Sequence, residues 1–438
     1  MTYRASAVVI DNGSYTTKAG FASDNLPSLV FNSNYIYDES SQKVIVGDDE
    51  MDKYSQNEVS TLLDNGLIYN FDNIVHNWQY VYDNIDNHNG IDSKEFPLVM
   101  TEQSWNTMKN KTKTCQIVFE QLEVPLFSLV KNPISQLYRC GKSTGLVIDI
   151  GAAVTSVTPI FDGIIQNKCS YHSKFAGDFL NLHVKHYLEG KVTSIDELLP
   201  STFRSSSTTA SFKQYYMSTH VLQEFKNLSI NYHVSNFQLY DHKYIDVSDQ
   251  RNFLENLFDP TANKLPNVTI PEPTIDKPSS HGLTNLVFLA IKNLEASLLP
   301  NNDSNNVNGV TASSHNRFAR FMEIFKQLLS NVLITGGVSL CNGLSDHVIN
   351  DLKSLTQKYF PNYPFSYNVQ LIRPSNSSDT AEIWDKQFGS WLGACNLASM
   401  LNDNDENSGS AKIALDNWFI TKADYEELGE DIITEKFK

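Results

Sequence analysis

The chain has 438 residues, of which 41% are hydrophobic and 19% charged, a composition typical of a globular protein with two or more domains. Its formal net charge of −16 opposes sequence-independent binding to the phosphate backbone of nucleic acid. No apolar run reaches the about 18 residues that a membrane-spanning helix needs, and Met1–Ser14 runs directly into a predicted strand. We therefore expect a soluble protein without a signal peptide or a membrane contact.

Cysteines and basic residues give two weaker indications. The five cysteines are widely spread, with no C-x-x-C pair and no histidines at metal-binding spacing, which indicates buried thiols in a reducing, intracellular compartment. The most basic stretch contains Lys109, Lys111 and Lys113. Such short runs are usually solvated surface, and nucleic-acid contact or nuclear import is the alternative.

Two similar strand–turn–strand units stand about 140 residues apart. The first begins with the strand Ala5–Asp11, turns at Asn12–Gly13 and returns from Lys18. The second has the strand Gly145–Gly151 and the return strand Val154–Pro159. Both contain Asp-x-Gly where the first strand ends, so we interpret them as a weak internal repeat. The repeat predicts two related lobes that face each other across a cleft.

Helical periodicity fills much of the remaining chain. Apolar residues recur every three to four positions in one clear segment, Phe71–Tyr82. The same criterion predicts three further helices, over residues 211–230, 281–299 and 317–329. Polar low-complexity stretches predict mobile surface insertions at residues 201–210, 301–315 and 402–411.

Gly141-Lys142-Ser143 looks like the end of a Walker P-loop, which cradles phosphates at the start of a helix. That motif needs a glycine five residues earlier, where this chain has Gln136, and here the three residues precede a predicted strand. We therefore reject a P-loop at this position.

The two hairpins suit phosphate better. Gly13 lets backbone approach a phosphate closely, Ser14 adds a hydroxyl and an amide, and Lys18 places a positive charge beside the β- and γ-phosphates. Asp11 and Asp149 stand where they can orient the waters that Mg²⁺ prefers to keep.

Glycines also mark a candidate base and ribose side. The apolar strand in Asn331–Leu340 ends at Gly336–Gly337, where bare backbone can pack against a base or ribose. Gly177–Asp178 begins a predicted helix whose first amides can meet ribose or phosphate. Together with the hairpins, these segments predict a cleft for an ATP-type nucleotide.

These motifs resemble those of the actin superfamily, in the same order and over essentially the whole chain. The matching segments are DNGSYTTKAGFASDNLP and STGLVIDIGAAVTSVTPIFDG for the two phosphate loops, NVLITGGVSLCNG for adenosine, VPLFSLVKNPISQLY for a connecting helix, and Trp391–Ala394 with NWFITKADYEELG near the end. The resemblance implies an α/β, actin-like ATPase fold, with two lobes that each carry a duplicated ribonuclease-H-like core around a nucleotide cleft.

The resemblance also implies four subdomains. Subdomain 1 comprises residues 1–32, 65–138 and 388–438, subdomain 2 residues 33–64, subdomain 3 residues 139–175 and 271–387, and subdomain 4 residues 176–270. The segment Ser33–Gly47 is shorter than the actin loop that inserts into the next subunit, so we expect no filament.

The nucleotide contacts carry over residue by residue. The resemblance implies ATP with Mg²⁺, the metal being reached through water by Asp11 and Asp149. The residues implied to line the nucleotide are Asp11, Gly13, Ser14, Lys18, Asp149, Gly151, Gly177, Asp178, Lys226, Gly336 and Gly337.

Departures from the actin pattern argue against efficient catalysis. Ala152 and Ala153 follow the second Asp-x-Gly, where actin has an aspartate and a glycine, and Asn132 replaces the glutamine that positions the attacking water. On the adenine side, Gln387 and Cys341 replace a lysine and a tyrosine. Because phosphoryl transfer depends on positioning and electrostatics, we expect weak or structural ATP binding, very slow hydrolysis and no catalytic residues.

Several phrases are most similar to the fungal actin-related protein 7 class of SWI/SNF and RSC chromatin-remodelling complexes, among them VVIDNGSYTTKAGF, SKFAGDFLNLHV and SWLGACNLASM. This resemblance implies a nuclear, non-polymerising scaffold that pairs with an actin-related protein 9-like partner and a small accessory subunit on the helical HSA segment of the motor ATPase. It implies no sequence-specific nucleic-acid binding. We expect the motor helix in a groove between the lobes. The groove residues predicted are Ile134, Leu137, Phe388, Trp391 and Leu392, with core packing as the alternative.

Two other functions fit the same fold class. An active, filament-forming ATPase fits poorly with Ala152, Asn132 and the short tip segment. A sugar or acetate kinase fits poorly with the actin-type C-terminal segment and the lack of an obvious sugar-acid site.

Overall fold

A computed structural model of the chain describes residues 6–86, 89–232, 234–250, 252–299, 312–374, 379–402 and 409–437. Residues 301–311 and 403–408, in two of the predicted polar insertions, lie outside these ranges. Within the described ranges, no helix combines the length and the apolar character needed to cross a membrane.

The chain divides into two compact units. Unit 1 comprises Met1–Gln136, Val184–Arg251 and Phe388–Lys438, and unit 2 comprises Leu137–His183 and Asn252–Gln387. The finer division into four subdomains stays a prediction.

The strands run in chain order as follows: β1 Val8–Asn12, β2 Thr16–Phe21, β3 Leu29–Asn32, β4 Asn34–Asp38, β5 Lys43–Ile45, β6 Val59–Thr61, β7 Leu63–Asp64, β8 Leu67–Ile68, β9 Leu98–Glu102, β10 Leu126–Lys131, β11 Gly145–Ile150, β12 Thr155–Phe161, β13 Ile164–Ile165, β14 Tyr171–Ser173, β15 Asn236–Gln238, β16 Tyr244–Asp246, β17 Val332–Thr335 and β18 Ile420–Thr421.

The α-helices are α1 Asp48–Met51, α2 Ile74–Asn84, α3 Met108–Gln116, α4 Asn132–Arg139, α5 Gly177–Glu189, α6 Ala210–Tyr216, α7 Leu222–Lys226, α8 Glu255–Phe258, α9 Leu283–Leu298, α10 Ala312–Ser330, α11 Leu344–Tyr359, α12 Asp379–Ser399, α13 Ser410–Trp418, α14 Lys422–Leu428 and α15 Glu430–Lys436.

The main sheet of unit 1 has the order β18-β10-β9-β1-β2-β3, in which β1 is antiparallel to β2 and parallel to β9. Its apolar first strand is covered on both faces. Val8 and Ile10 belong to the core that contains Trp78 of α2, whereas Val9 belongs to the core that contains Trp391 of α12. Successive strand residues point to opposite faces, so covering both faces requires the continuous apolar run seen in the sequence.

The main sheet of unit 2 has the order β13-β12-β11-β17, with β14 paired to the edge of β12. Its strand β11 is antiparallel to β12 and parallel to β17, which repeats the arrangement of β1 with β2 and β9. The internal repeat predicted from the sequence is therefore confirmed as two sheets with the same central hairpin.

The predicted helices are all present, with shifted ends. The first is α2, which begins at Ile74 and not at Phe71 because residues 71–73 form a turn. The segment predicted as one helix over 211–230 consists of α6 and α7 with π-helical turns over Met217–Val221 and Asn227–Asn231. The other two correspond to α9 and α10.

Residues 33–47, at the tip of subdomain 2, form a compact hairpin. Strands β4 and β5 pair antiparallel and are joined by residues 39–42. The carboxylate of Asp38 accepts hydrogen bonds from the hydroxyls of Ser41 and Ser40, and these bonds lower the pKa of Asp38 from 3.8 to about 2. The tip is thus a closed turn whose polar groups bond to one another.

Candidate functional site

The first phosphate-type loop is the turn between β1 and β2. The amide of Gly13 donates a hydrogen bond to the carbonyl of Thr16 at 3.0 Å. A β-carbon at residue 13 would lie only 2.8 Å from the same carbonyl oxygen, so the turn needs glycine there. Ser14 is half-buried in this turn.

Asp11 and Lys18 face each other across this hairpin. They are direct partners in the β1–β2 register, and the Lys18 Nζ lies 3.0 Å from Asp11 Oδ2. The hydroxyl of Thr101, on β9, donates to the other carboxylate oxygen at 2.5 Å. The carboxylate is therefore buried and oriented from two sides, and its lysine partner carries the positive charge expected beside a phosphate.

A serine braces the same loop from the tip segment. The Ser33 hydroxyl donates to the carbonyl of Gly13 at 2.7 Å, and the Ser33 amide donates to the carbonyl of Tyr15 at 3.0 Å. Neither Ser33 nor Thr101 belongs to a recognisable motif. Ser33 reaches the loop because the chain turns back before β4, and Thr101 reaches it because β9 pairs with β1. The only available signal is that Ser33 begins the tip segment.

The second phosphate-type loop, in unit 2, has the geometry of the first. The amide of Gly151 donates to the carbonyl of Val154 at 3.0 Å, as Gly13 does to Thr16. The loop is also hydrogen-bonded to the first residues of α5. The amide of Gly177 donates to the carbonyl of Gly151 at 3.0 Å, and the amide of Asp178 donates to the carbonyl of Ala152 at 2.7 Å. The loop carbonyls thus accept both amides, and the predicted contact of Gly177 and Asp178 with a ribose or a phosphate stays a prediction.

The glycine pair lies beside the second loop. Asp149 on β11 pairs with Thr335 on β17, so Gly336 follows directly at the carboxylate. Gly336 has a φ of 89°, and a β-carbon there would lie 2.5 Å from the carbonyl oxygen of Ile150. At Gly337, by contrast, a β-carbon would meet nothing within 4 Å. The first glycine is required by packing, and the second leaves open space.

A lysine that the sequence analysis overlooked lies at this glycine loop. The carbonyl of Lys386 accepts the amide of Gly336 at 3.0 Å and the hydroxyl of Thr335 at 3.1 Å. Its ammonium group lies 3.0 Å from Glu382, which also pairs with Arg373 at 2.6 Å. Gln387 stands where the actin pattern has a lysine, and the positive charge of the neighbouring Lys386 is paired with Glu382.

Lys226 is the last residue of α7 in unit 1 and is half-buried. It lies in the same unit as the first phosphate-type loop. Its predicted contact with ribose or adenine stays a prediction.

Asn132 begins α4 and is 6% exposed. It lines a small cavity of about 30 Å³ together with Thr101 and Glu102, and no donor among the described residues reaches its Oδ1. A space of this size holds one or two waters. The adjacent Lys131 has its pKa lowered by burial and by the charge of Lys111, partly offset by Glu102.

The residues predicted to line a helix-binding groove are mostly core. Of the five predicted residues, Ile134 is partly exposed. The other four are only 0–7% exposed: Leu137, Phe388, Trp391 and Leu392. In unit 1, Ser135 of α4 donates to the carbonyl of Ser390 of α12 at 2.5 Å, and Gly393 lets the two helices approach closely. This direct packing fills the space, so the predicted groove is wrong at these four positions.

The basic stretch is not a continuous surface either. Lys109 and Lys113 are exposed, but Lys111 is 4% exposed and pairs with Glu102 at 3.2 Å. Its ammonium also donates to the carbonyl of Phe437 at 2.6 Å. Lys111 therefore fixes the C-terminal segment and offers no charge to nucleic acid.

Direct metal ligation is not built into the described part of the chain. Among those residues, no group of three or more His, Cys, Asp or Glu side chains is placed to hold a metal ion. Mg²⁺ in such a protein would take most of its oxygen ligands from phosphates and water, which fits the single carboxylates Asp11 and Asp149.

Comparisons with known proteins agree with this architecture. A model of the actin family matches residues 2–438. The chain is 28% identical to actin-related protein 7 of Saccharomyces cerevisiae, with 98% of each chain covered. It is 26% identical to actin-related protein 4 of Yarrowia lipolytica, covering 98% of this chain and 95% of that one. The protein belongs to the actin family.

Proposed function

We propose that this protein is a non-polymerising, actin-related scaffold subunit of a nuclear ATP-dependent chromatin-remodelling complex of the SWI/SNF or RSC type. In this proposal it pairs with an actin-related protein 9-like partner and a small accessory subunit on the HSA helix of the motor ATPase. The similarity to actin-related proteins 7 and 4 over nearly the full chain supports this class of function.

The observation that carries the proposal is the contrast between the two phosphate-type loops. The first has a buried carboxylate, a lysine and a bracing serine. In the second, Ala152 has no side-chain group to orient water, and its carbonyl accepts the amide of Asp178. Asn132, where actin has a glutamine, lines the small cavity described above. This combination suits nucleotide binding better than hydrolysis.

Mg-ATP is the ligand that we assign to these loops, in a structural role. Ser14 and Lys18 would contact phosphates, Asp11 and Asp149 would orient metal-bound water, and Gly337 would leave room for the base or ribose. The bound ion would supply charge neutralisation of the phosphates. The residues present fit this ligand, because both loops keep the glycine that a close backbone approach requires.

The compact tip supports the absence of polymerisation. Residues 39–42 close a tight turn whose polar groups bond to Asp38, so no long loop projects from β4 and β5. A filament built on insertion of this segment into a neighbouring subunit would lack its inserting element.

For the partner helix, we assign an exposed apolar patch in unit 2 in place of the buried groove residues. This patch, which we call the Tyr138 patch, comprises Tyr138 at the end of α4 and Ile164 on β13, which are 39% and 67% exposed. The hydroxyl of Tyr138 lies over Gly163, at 2.6 Å from where a β-carbon would be. An amphipathic helix binds to such apolar surfaces.

Affinity purification of the full chain from its native cells tests the proposal. We expect a second actin-related protein and a large motor ATPase to co-elute in stoichiometric amounts. Recovery of the chain alone as a monomer, or as sedimentable polymer with Mg-ATP, would contradict it.

A further inference from the structure

The aromatic core of unit 2 reaches the surface at the beginning of α10. Phe321 and Phe325 of this helix are buried, and their ring centres lie 4.5 Å apart. Phe318, one turn earlier on the same side of the helix, is 45% exposed, with its ring centre 6.0 Å from that of Phe321. A stripe of rings therefore continues from the core out to solvent.

The segment that follows α11 adds two more rings to this surface. The ring centre of Tyr363 lies 6.3 Å from that of Phe318 and 5.2 Å from that of the buried Phe365. Tyr367 is exposed, and its hydroxyl donates to the carbonyl of Pro361 at 3.3 Å. Contacts with the core and within the segment thus hold these rings in place.

Cations stand next to these rings in the sequence. Arg317 and Arg320 are exposed on either side of Phe318 and lie one turn of α10 apart. Lys358 is exposed at the end of α11, which finishes at Tyr359. Among the described residues, the ion pairs of unit 2 are formed by other cations, namely Arg139, His347, Arg373 and Lys386. The charges of the first three cations are therefore open to solvent and to a partner.

Carboxylates are missing from the segments that carry these residues. Residues 312–322 and 352–373 contain no aspartate or glutamate, and the first carboxylate on α10 is that of Glu323. The chain as a whole has a formal net charge of −16, so a locally cationic and aromatic surface is an exception in it. We call this surface the Phe318 face and define it by Arg317, Phe318, Arg320, Lys358, Tyr363 and Tyr367.

We propose that the Phe318 face binds a short acidic segment of a partner protein, in which carboxylates alternate with aromatic or aliphatic side chains. The arginines and the lysine would pair with the carboxylates, and the exposed rings would take the apolar side chains. The face shares no residue with the phosphate-type loops or the Tyr138 patch. This inference therefore does not depend on the proposed function, and it adds a second kind of partner contact.

Two other occupants suit the face less well. A nucleic acid extends beyond a site with three cations, and its phosphates would then meet a protein of net charge −16. Residues 301–311 of this chain, which lie outside the described ranges, contain one carboxylate and no aromatic ring. A short acidic and apolar segment matches both the charge and the rings.

Fluorescence anisotropy with the full chain tests the proposal. The probe is a short fluorescein-labelled peptide in which glutamate alternates with phenylalanine and leucine. One comparison peptide has lysine in place of glutamate, and another has serine in place of the apolar residues. A labelled oligothymidylate is the probe for nucleic acid.

Two variants of the face test its two components. The double variant Arg317→Glu with Arg320→Glu reverses the charge, and Tyr367→Ala removes a ring that is 61% exposed. Tyr244→Ala is the matched control for the ring, because Tyr244 lies in unit 1 and is 65% exposed. Lys264→Glu is the control for charge.

The charge control lies at a different surface of unit 2. Lys264 is exposed and precedes Leu265, which packs with Phe175 and Phe179 in a separate apolar cluster. All the altered side chains are exposed, so the variants should keep the melting temperature of the unaltered chain. Loss of binding is then separate from loss of folding.

We expect saturable binding of the acidic apolar peptide and binding that is weaker by about tenfold or more for both comparison peptides. The charge-reversed variant should bind the acidic peptide about tenfold or more weakly and Tyr367→Ala about three- to tenfold, while both controls stay within about twofold. Absence of saturable binding, equal affinity for the lysine peptide, or unchanged affinity in both test variants would overturn the proposal. Tighter binding of oligothymidylate that is lost in the same variants would overturn it in favour of nucleic acid.

Discussion

Gly336 packs directly against the carboxylate of Asp149, the last residue but one of the neighbouring strand β11 in the unit 2 sheet. The backbone of Gly336 has a φ of 89°, and its close approach also brings it to the carbonyl of Ile150. This relationship joins the second phosphate-type loop to the glycine pair, so one substitution tests both.

Replacing Gly336 by alanine should destabilise the protein by about 2 to 4 kcal/mol, because the methyl group would clash with Asp149 and Ile150 at an unfavourable φ. Urea unfolding measures this change. Gly337→Ala is the matched control, since a β-carbon there meets nothing within 4 Å, and it should change the free energy of unfolding by less than about 1 kcal/mol. Equal losses in the two variants would contradict the packing.

Lys18→Met should weaken Mg-ATP binding by at least about tenfold and also destabilise the fold by about 3 to 5 kcal/mol. The substitution leaves the buried carboxylate of Asp11 with Thr101 but without its cation. Calorimetric titration measures the affinity. Lys53→Met, which removes a solvent-exposed pair with Glu50, should be nearly neutral for stability and leave the affinity unchanged.

Lys111→Met should destabilise the protein by about 3 to 5 kcal/mol, because it leaves Glu102 buried without its partner and frees the carbonyl of Phe437. The double variant Lys111→Met with Glu102→Gln should recover part of this loss, since the uncompensated charge is gone. Lys109→Met, at an exposed position of the same helix, is the control and should be near neutral. Denaturant unfolding of the four proteins gives the comparison, and absence of any recovery would contradict a buried ion pair.

Ile164→Asp should weaken binding of the motor's HSA helix by about tenfold or more, because a carboxylate replaces an apolar side chain in the Tyr138 patch. Ile275→Asp is the control, at a turn position of unit 2 that is 70% exposed and lies outside the Tyr138 patch. Co-expression with the HSA segment and a second actin-related protein, followed by size-exclusion chromatography, measures assembly. Equal assembly by both variants would remove the patch from the proposal.

The stability of the tip hairpin should depend on pH in the acid range. Because Ser41 and Ser40 hold the pKa of Asp38 at about 2, below its ordinary 3.8, its stabilising contribution is complete above pH 4 and is lost as the pH falls through about 2. Carbon-detected NMR titration should give this pKa directly. Ser41→Ala should move it back towards 3.8, and a normal pKa in the unaltered chain would contradict the closed turn.

Local patterns in the sequence were sufficient to predict the two hairpins, the strand β17 just before Gly336 and the helices α2, α9 and α10. These features depend on spacing within about 20 residues, where turn glycines and apolar periodicity act directly. The resemblance to actin accounted for the order of these features along the chain. The match of the actin family model to residues 2–438 agrees with that resemblance.

Contacts between residues that are far apart in the chain could not be predicted from local sequence patterns. Thr101 reaches Asp11 through a parallel strand, and Ser33 reaches Gly13 through the tip segment. Lys111 looked like part of a basic surface because its partners, Glu102 and the carbonyl of Phe437, come from other elements.

The predicted groove failed for a related reason. Apolar residues on α4 and α12 match both a partner surface and a core, and the close approach at Gly393 decides in favour of the core. That approach depends on the packing of two helices far apart in sequence. Periodicity alone leaves the two alternatives equal.

We propose that this actin-family protein holds ATP without turning it over, and a single gel-filtration experiment can test this. The full chain is mixed with equimolar Mg²⁺ and ATP labelled in the γ-phosphate, then gel-filtered at intervals over several hours. We predict that intact ATP co-elutes with a monomer of 49.4 kDa throughout. Loss of the γ-phosphate within minutes, or protein that elutes without label from the start, would contradict the claim.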